Sequence, residues 1–247
     1  MAESLLITEP HPGVRRLTIS RPDRRNALDQ ATYSALSTAL EAAAHDDGVR
    51  AVVLTGAGGC FTAGNDLADF QNTPDHEPVA AVAFLDAIVG FSKPLVAAVE
   101  GFAVGIGVTM LLHCDLAYAG ATARFRLPFV NLGLCAEGGS SYLLPLVAGT
   151  KRAAELLLLG APFGAAEAKE ARIVNGVTDE GAALALAEER AVALAALPPQ
   201  ALAVTKRLLR HGTADAVARA LALEAEQFRA LRLTPAAQAA FAAFFKK

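Results

Sequence analysis

The chain has 247 residues, of which 53% are hydrophobic and 19% charged, so it can bury one substantial core, and we expect a single α/β domain. Its 22 Lys and Arg against 25 Asp and Glu give a net charge of −3, which does not provide the positive field that nucleic-acid binding requires. Residues 101–112 form the longest uncharged apolar stretch, too short for a bilayer span of roughly 20 residues, and residues 1–10 show no targeting signal, so we expect a cytoplasmic protein without membrane contact.

The first elements predicted are a hairpin, a helix and a buried strand. Residues 5–8 and 14–20 alternate apolar and polar side chains around a Pro-Gly turn, which predicts a β-hairpin. Apolar residues then recur with helical spacing over 28–40, and this helix ends near Gly48. Residues 49–55 are almost continuously apolar, which is typical of a strand buried on both faces of a parallel sheet.

The middle of the chain repeats this alternation. Residues 95–99 predict a second buried strand, residues 105–114 a helix that follows it immediately, and residues 115–119 a third strand. Alternating strands and helices indicate βαβ units with right-handed crossovers. Ligand sites in such folds lie where strand ends meet helix starts.

From about Thr150 onward the composition shifts to Ala- and Leu-rich segments with charged faces. These segments predict helices, and the Pro198-Pro199 and Thr234-Pro235 pairs separate them. The helical segments are 151–159, 180–197, 202–210, 214–230 and 235–245. We therefore expect the C-terminal part of the chain to be helical.

Two glycine-rich turns follow predicted strands, Thr55–Leu67 and Glu100–Gly107. The first lacks the third glycine of a dinucleotide-binding fingerprint, because Phe61 stands in its place. Gly105 and Gly107 taken alone would indicate only a helix packed close to the sheet. Together, two such turns on neighbouring strands can direct two main-chain N–H groups at one developing negative oxygen, which describes an oxyanion hole.

Six segments of the sequence match one known family in order and spacing. They are Arg21–Leu28, Phe61–Leu67, Lys93–Gly101, Gly105–Gly107, Cys114–Asp115 and Leu132–Gly139. With these segments the sequence resembles the crotonase, or enoyl-CoA hydratase/isomerase, superfamily. The resemblance covers essentially the whole chain and implies a crotonase-like ββα spiral core with an acyl-CoA site over residues 1–195, and a helical trimerisation region over residues 196–247.

The resemblance also implies roles for individual residues. The main-chain N–H groups of Asn65 and Ile106 would hold the thioester oxygen. Coenzyme A would enter as part of the substrate, with no tightly bound cofactor, and the protein would be a homotrimer or homohexamer. The residues implied in binding the coenzyme A thioester are Arg24, Ala27, Leu28, Ala63, Gly64, Asp66, Leu67, Gly105, Gly107, Phe241, Phe244 and Lys246.

The acid/base groups decide which reaction such a site catalyses. Hydratases of the family use two glutamates, and here Thr109 and Phe129 stand at those positions. Glu137 remains, and in its neighbours and spacing it matches the glutamate of the Δ3,Δ2-enoyl-CoA isomerase branch. The resemblance thus implies that Glu137 moves a proton from C2 to C4 of a 3-enoyl-CoA. We expect an apolar wall of Phe129, Leu132 and Leu134 to raise its pKa.

Three alternatives stay open. Glu137 alone could activate water in an enoyl-CoA hydratase, and ring isomerisation or thioester hydrolysis uses the same enolate. A non-catalytic acyl-CoA- or RNA-binding member of the family is the alternative from another class, although the acidic balance argues against RNA. The five histidines have no metal-ligand spacing, and the three cysteines lie in apolar surroundings, so we expect no metal and reduced thiols.

Overall fold

The structure, a computed structural model, describes residues 4–72 and 79–244. Within these residues, two sheets account for the strands, and helices surround them. The strands are β1 (Leu5–His11), β2 (Val14–Ile19), β3 (Ala51–Gly56), β4 (Leu95–Val99), β5 (Phe102–Val104), β6 (Leu116–Gly120), β7 (Arg124–Arg126), β8 (Phe163–Gly164) and β9 (Gly176–Thr178).

The larger sheet has six strands in the order β1-β2-β3-β4-β6-β9. β1 and β2 pair antiparallel as a hairpin, and every later neighbour pairs parallel. The smaller sheet has the order β5-β7-β8, with β5 parallel and β8 antiparallel to β7. Because β3 and β4 are parallel neighbours, the turns that follow them leave the sheet at the same edge.

The helices lie between and around the strands. They are α1 (Gln30–His45), α2 (Leu67–Asn72), α3 (Val79–Gly90), α4 (Ile106–Thr109), α5 (Ser140–Ala148), α6 (Thr150–Ala154), α7 (Ala165–Glu170), α8 (Ala183–Ala195), α9 (Pro199–His211), α10 (Ala214–Arg232) and α11 (Pro235–Phe244). Asp29 caps α1, since its carboxylate accepts a hydrogen bond of 2.8 Å from the Thr32 main-chain N–H.

Both faces of the central strands are covered, which explains their continuous apolar sequence. On one face, Val53 and Val96 pack against Ala183 and Ala187 of α8. On the other face, alternate residues such as Leu54 join the main core, which includes the apolar side of α1. The period of two along each strand thus divides its side chains between two cores.

The helical end of the chain folds back over the middle of it. α10 packs against α5, and α11 packs against the short 3-10 helix Val130–Leu132. A π-helical segment, Glu155–Leu159, continues α6. In the part of the chain that the structure describes, no helix combines the length and the apolarity needed to cross a membrane.

The α/β fold class, the hairpin, the first helix and the three buried strands are confirmed. The expectation that a helix follows β4 immediately is wrong, because β5 comes between them, and the helical turn then continues as α4 and the 3-10 helix Met110–His113. The C-terminal half is also less uniformly helical than expected, since it contains β8 and β9.

Candidate active site

The two glycine-rich turns lie directly against each other. The Val104 N–H donates to the Thr62 carbonyl at 3.1 Å, which joins the turn after β3 to the end of β5. Gly64 has a φ of +87°, and a Cβ atom there would lie 2.5 Å from the Val104 carbonyl oxygen, so a side chain is excluded. Gly105 has a φ of +55°, a conformation that favours glycine.

One main-chain amide in each turn, that of Asn65 and that of Ile106, lines the site without a partner among the described residues. Amides close to them are bonded: Gly64 donates to Thr62 Oγ1, Asp66 to the Leu28 carbonyl, and Gly105 to the Arg126 carbonyl. No bond from the N–H of Asn65 or Ile106 to another described residue is present. Ile106 is the first residue of α4, where helix geometry provides no acceptor for it.

One pocket brings the predicted oxyanion residues and the predicted acid/base together. Asn65, Ile106 and Glu137 all line it, as do Leu28 and Asp66. The wall opposite the glycine-rich turns comes from α1, α3 and α10. The residues contributed by these helices are Gln30, Tyr33, Ala81, Val82, Ala225, Phe228, Arg229 and Arg232, and Asp69 of α2 completes the lining.

Glu137 lies in the turn before α5, where two hydroxyl groups donate hydrogen bonds to it. The Thr109 hydroxyl donates to Glu137 Oε1 at 2.6 Å, and the Ser140 hydroxyl donates to the Glu137 carbonyl at 2.7 Å. A Cβ atom on Gly138 would lie 2.7 Å from Thr109 Oγ1, so glycine permits this close contact. No described residue donates a hydrogen bond to the other oxygen, Oε2.

The pKa of Glu137 is raised from 4.5 to about 7. Burial of the carboxyl is the largest cause, because it disfavours the charged form. The hydrogen bond from Thr109 acts in the opposite direction, and the charge of Glu224 raises the pKa further. A carboxyl with this pKa is partly ionised at neutral pH and can both accept and return a proton.

Tyr33 connects the base of the pocket to the first glycine-rich turn. Its hydroxyl donates to Asn65 Oδ1, and its ring packs against Phe84 with the ring centroids 5.6 Å apart. Burial and the nearby charge of Glu137 raise the pKa of Tyr33 well above 10. Tyr33 therefore stays a neutral donor that orients the Asn65 side chain.

The other carboxylates of the pocket are held by donors at its edge. Asp66 Oδ2 lies 3.1 Å from Arg21 Nη1, and Asp66 Oδ1 accepts from the Ala68 N–H. Asp69 Oδ2 accepts from the Gln30 N–H at 3.0 Å. Glu137 shares the pocket with the two amides and accepts its side-chain hydrogen bond from a neutral hydroxyl instead.

Two of the segments predicted to bind coenzyme A run side by side. The Ala63 N–H donates to the Arg25 carbonyl and the Leu28 N–H to the Gly64 carbonyl, so residues 24–28 lie along residues 63–67. Arg24 is exposed, Ala27 is buried beside it, and Leu67 begins α2. Gly107 packs on Thr62, where a Cβ atom would lie 2.6 Å from Thr62 Cγ2.

The C-terminal predictions lie elsewhere or outside the description. Phe241 is fully buried in the core and is not among the residues that line the described pocket. The Phe244 side chain and Lys246 lie outside the described residues. Phe129, Leu132 and Leu134, the expected apolar wall, are not among the residues that line the described pocket, whereas Tyr33, Ile106 and side chains of α3 and α10 are.

Several pocket residues were not predicted as functional from the sequence. Tyr33 fitted the apolar face of α1, and Thr109 was noted only as a position without a carboxylate. Phe228, Arg229 and Arg232 come from α10, where an Ala-rich helix with charged residues gave no signal of a ligand site. Among the described residues, no cluster of His, Cys, Asp and Glu has the geometry of a metal site.

A family model described as enoyl-CoA hydratase/isomerase matches residues 9–247. The chain belongs to the enoyl-CoA hydratase/isomerase family. Solved structures of this fold include Pseudomonas aeruginosa OdaA, which is 39% identical with a TM-score of 0.95 over 100% of both chains. An enoyl-CoA hydratase/isomerase from Pseudoalteromonas atlantica is 41% identical with a TM-score of 0.93, covering 98% of this chain and 97% of that one.

Curated relatives within the enoyl-CoA hydratase/isomerase family have different activities in their names. The human enoyl-CoA delta isomerase 2 is 35% identical over 84% of this chain and 54% of its own length. The Escherichia coli 2,3-dehydroadipyl-CoA hydratase is 35% identical over 99% of this chain and 96% of its own. The chain spans about half the length of the human and rat delta isomerases that it matches.

Proposed function

We propose that the protein is a Δ3,Δ2-enoyl-CoA isomerase in which Glu137 is both base and acid. One observation supports this most. The Glu137 carboxyl lies in the same pocket as two main-chain N–H groups that have no hydrogen-bond acceptor among the described residues. The pKa of that carboxyl, about 7, suits a group that takes a proton and returns it.

The proposed reaction needs no water. Ionised Glu137 removes a proton from C2 of a 3-enoyl thioester. The C2–H electron pair forms the C1–C2 double bond, and the carbonyl π pair moves onto the oxygen to give a dienolate. The N–H groups of Asn65 and Ile106 bind the dienolate oxygen, where the negative charge develops. Protonated Glu137 then delivers the proton to C4 as the double bond forms between C2 and C3, which restores the starting carboxylate.

A second cavity supports an acyl substrate with a chain extending beyond the reacting carbons. It has a volume of about 510 Å3, lies between α3, α5, α9 and α10, and shares Val82 and Ala225 with the pocket of Glu137. Most of its lining is aliphatic, including Leu85, Leu143 and Leu221. We propose that the acyl chain passes Val82 and Ala225 into this cavity, since burying its methylene groups there stabilises the complex.

Hydration of a 2-enoyl-CoA is the competing activity, since one of the relatives is named as a hydratase. Hydration requires a group that places a water molecule opposite the enoyl double bond. Thr109 uses its hydroxyl on Glu137, and Phe129 is buried with its ring near Gly105. Neither residue offers a second carboxylate, and this favours isomerisation.

The deciding experiment compares 3-enoyl- and 2-enoyl-CoA thioesters of several chain lengths as substrates. We expect turnover of the 3-enoyl thioester to the 2-trans product, and a loss of roughly 10²- to 10⁴-fold in kcat for Glu137→Gln. Glu170→Gln, an exposed glutamate at the end of α7, is the matched control and should keep full activity. Formation of a 3-hydroxyacyl product from the 2-enoyl thioester, without isomerisation, would instead identify a hydratase.

We also propose a homotrimer or homohexamer, working in the cytoplasm on acyl-CoA thioesters that carry the coenzyme A as part of the substrate. Apolar side chains left exposed on α9 support an assembly, with Leu208 and Leu209 being 67% and 79% exposed. Light scattering coupled to size-exclusion chromatography measures the assembly. A monomer at micromolar concentration would contradict this proposal.

A further inference from the structure

A buried glutamate of α10 is bonded to the turn that carries Glu137. The Glu224 carboxylate accepts hydrogen bonds from the Gly139 N–H at 2.6 Å and from the Ser141 N–H at 2.8 Å. The residue is 5% exposed, although it belongs to a helix far along the chain. Both amides lie at the start of α5, where the helix supplies donors that need an acceptor.

The turn that Glu224 holds has little rigidity of its own. Gly138 and Gly139, which follow Glu137, have φ values of +68° and +74°. His113 provides a second support, with its Nε2 2.7 Å from the Gly138 carbonyl oxygen. Because two consecutive glycines have many accessible conformations, contacts from outside the turn must keep Glu137 in one place.

We propose that Glu224 is a positioning residue, which anchors the Glu137 turn to α10 and thereby keeps the Glu137 carboxyl aimed at the substrate. This inference rests on the proposed function, in which Glu137 is the acid and base. A displacement of a reacting group by about 1 Å can cost 10²-fold in rate, so an anchor two residues away affects turnover without touching the substrate.

Glu224 also acts on Glu137 through its charge. Burial is the largest cause of the raised pKa of Glu137, and the hydrogen bond from Thr109 lowers that pKa. The charge of Glu224 raises it, because each of two neighbouring carboxylates disfavours ionisation of the other. Removing that charge should therefore lower the Glu137 pKa. The other titratable or charged groups that face Glu137 or its turn are Tyr33, Asp66, Asp69, His113, Cys135, Arg229 and Arg232.

The test is Glu224→Gln, which keeps the size of the side chain but removes its charge and one acceptor. Glu226→Gln, an exposed glutamate on the same helix, is the matched control. The midpoint of Glu137 ionisation is followed by carbon NMR of protein labelled at the glutamate carboxyl, with Glu137→Gln identifying the resonance. We expect Glu224→Gln to lower this midpoint by roughly half a pH unit and kcat by roughly tenfold, and Glu226→Gln to change neither.

An unchanged midpoint and an unchanged kcat in folded Glu224→Gln would overturn the proposal. A lower thermal midpoint alone would also overturn it, because Glu224 would then act only as a helix cap. If Glu224→Gln does not fold, Glu224→Asp keeps the charge and shortens the side chain, and a kcat equal to the wild type would contradict positioning. If the wild type turns over no 3-enoyl thioester, the proposed function fails, while the NMR titration still decides the link between Glu224 and Glu137.

Discussion

The hydroxyl of Thr109 should tune the proton affinity of Glu137, and Thr109→Val tests this directly. Valine keeps the shape of threonine but cannot donate the hydrogen bond, 2.6 Å long, to Glu137 Oε1. That bond favours the ionised carboxylate and holds the Glu137 pKa below the value that burial alone would give. Its loss should therefore raise the pKa.

The size of the shift follows from the energy of the bond. A hydrogen bond to a charged group contributes about 1.5 kcal/mol or more, and one pKa unit corresponds to about 1.4 kcal/mol, so the Glu137 pKa should rise by about one unit. With a wild-type pKa of about 7, half of Glu137 is ionised at pH 7. After a rise of about one unit, roughly a tenth is ionised, so kcat/KM at pH 7 should fall roughly fivefold.

The assay is the pH profile of kcat/KM with a 3-enoyl thioester. We expect the acidic limb of Thr109→Val to move about one unit toward higher pH and the activity to recover in alkaline buffer. Thr109→Ser should restore the wild-type profile. Thr55→Val is a matched control, since Thr55 is a buried threonine whose hydroxyl bonds to the Ala98 carbonyl instead. A Thr109→Val profile that coincides with the wild type, or that moves to lower pH, would refute this reasoning.

Three further predictions concern stability, the oxyanion turn and chain length. The folded-state pKa of Glu137 is about 7, against an ordinary value of 4.5, so the stability that Glu137 contributes is complete below pH 4.5 and is lost as the pH rises to 7. By about pH 8 the free energy of unfolding of Glu137→Gln should exceed that of the wild type by about 3 kcal/mol. Urea titration at each pH measures this difference. Equal pH dependence in both proteins would exclude a raised pKa. Gly107→Ala places a Cβ atom 2.6 Å from Thr62 Cγ2 and should lower kcat about 10²-fold by shifting the Ile106 amide. Gly212→Ala is the control, because its Cβ atom would meet no atom within 4 Å and Gly212 lines neither described cavity. Comparable kcat values in the two variants would contradict the role of this turn. Ala225→Phe should reduce kcat/KM for thioesters of eight or more carbons more than for four-carbon ones, because Ala225 lines both cavities. Ala230→Phe, at an exposed position of the same helix, is the control. A uniform loss at every chain length would argue against passage of the acyl chain beside Ala225.

The sequence predicted structure correctly where an apolar run is long, or where only one residue type suits a position. The buried strands β3 and β4 were predictable, because runs of four and five consecutive apolar residues between turn signals are typical of buried strands. The turns after them were recognisable because close contacts between two backbones require glycine at Gly64 and Gly107. Glu137 stood out as a carboxyl in an otherwise apolar segment.

The sequence was uninformative where the elements are short. β5 and β7 have three residues each and β8 has two, so none extends over enough residues to show alternation, and the second sheet was therefore missed. The apolar surroundings of Glu137 were expected from residues near it in the chain. The described pocket is also lined by Tyr33, 104 positions earlier in the sequence, and by residues of α10, because its lining depends on which helices the fold brings together.

α10 connects the described pocket to the turn that carries Glu137. Ala225 and Phe228 line the pocket, and the Glu224 carboxylate accepts hydrogen bonds from the start of α5, so residues close together on one helix contact both the pocket and the turn. A helix that is long and packed on α5 can hold both in fixed relation. In the sequence, Glu224 and Glu226 look equivalent, and only the fold separates a buried anchor from a solvated surface charge. If Glu137 is the acid and base, as we propose, substitutions in α10 should change the reaction as well as those in the glycine-rich turns, and the Glu224→Gln and Ala225→Phe variants test this.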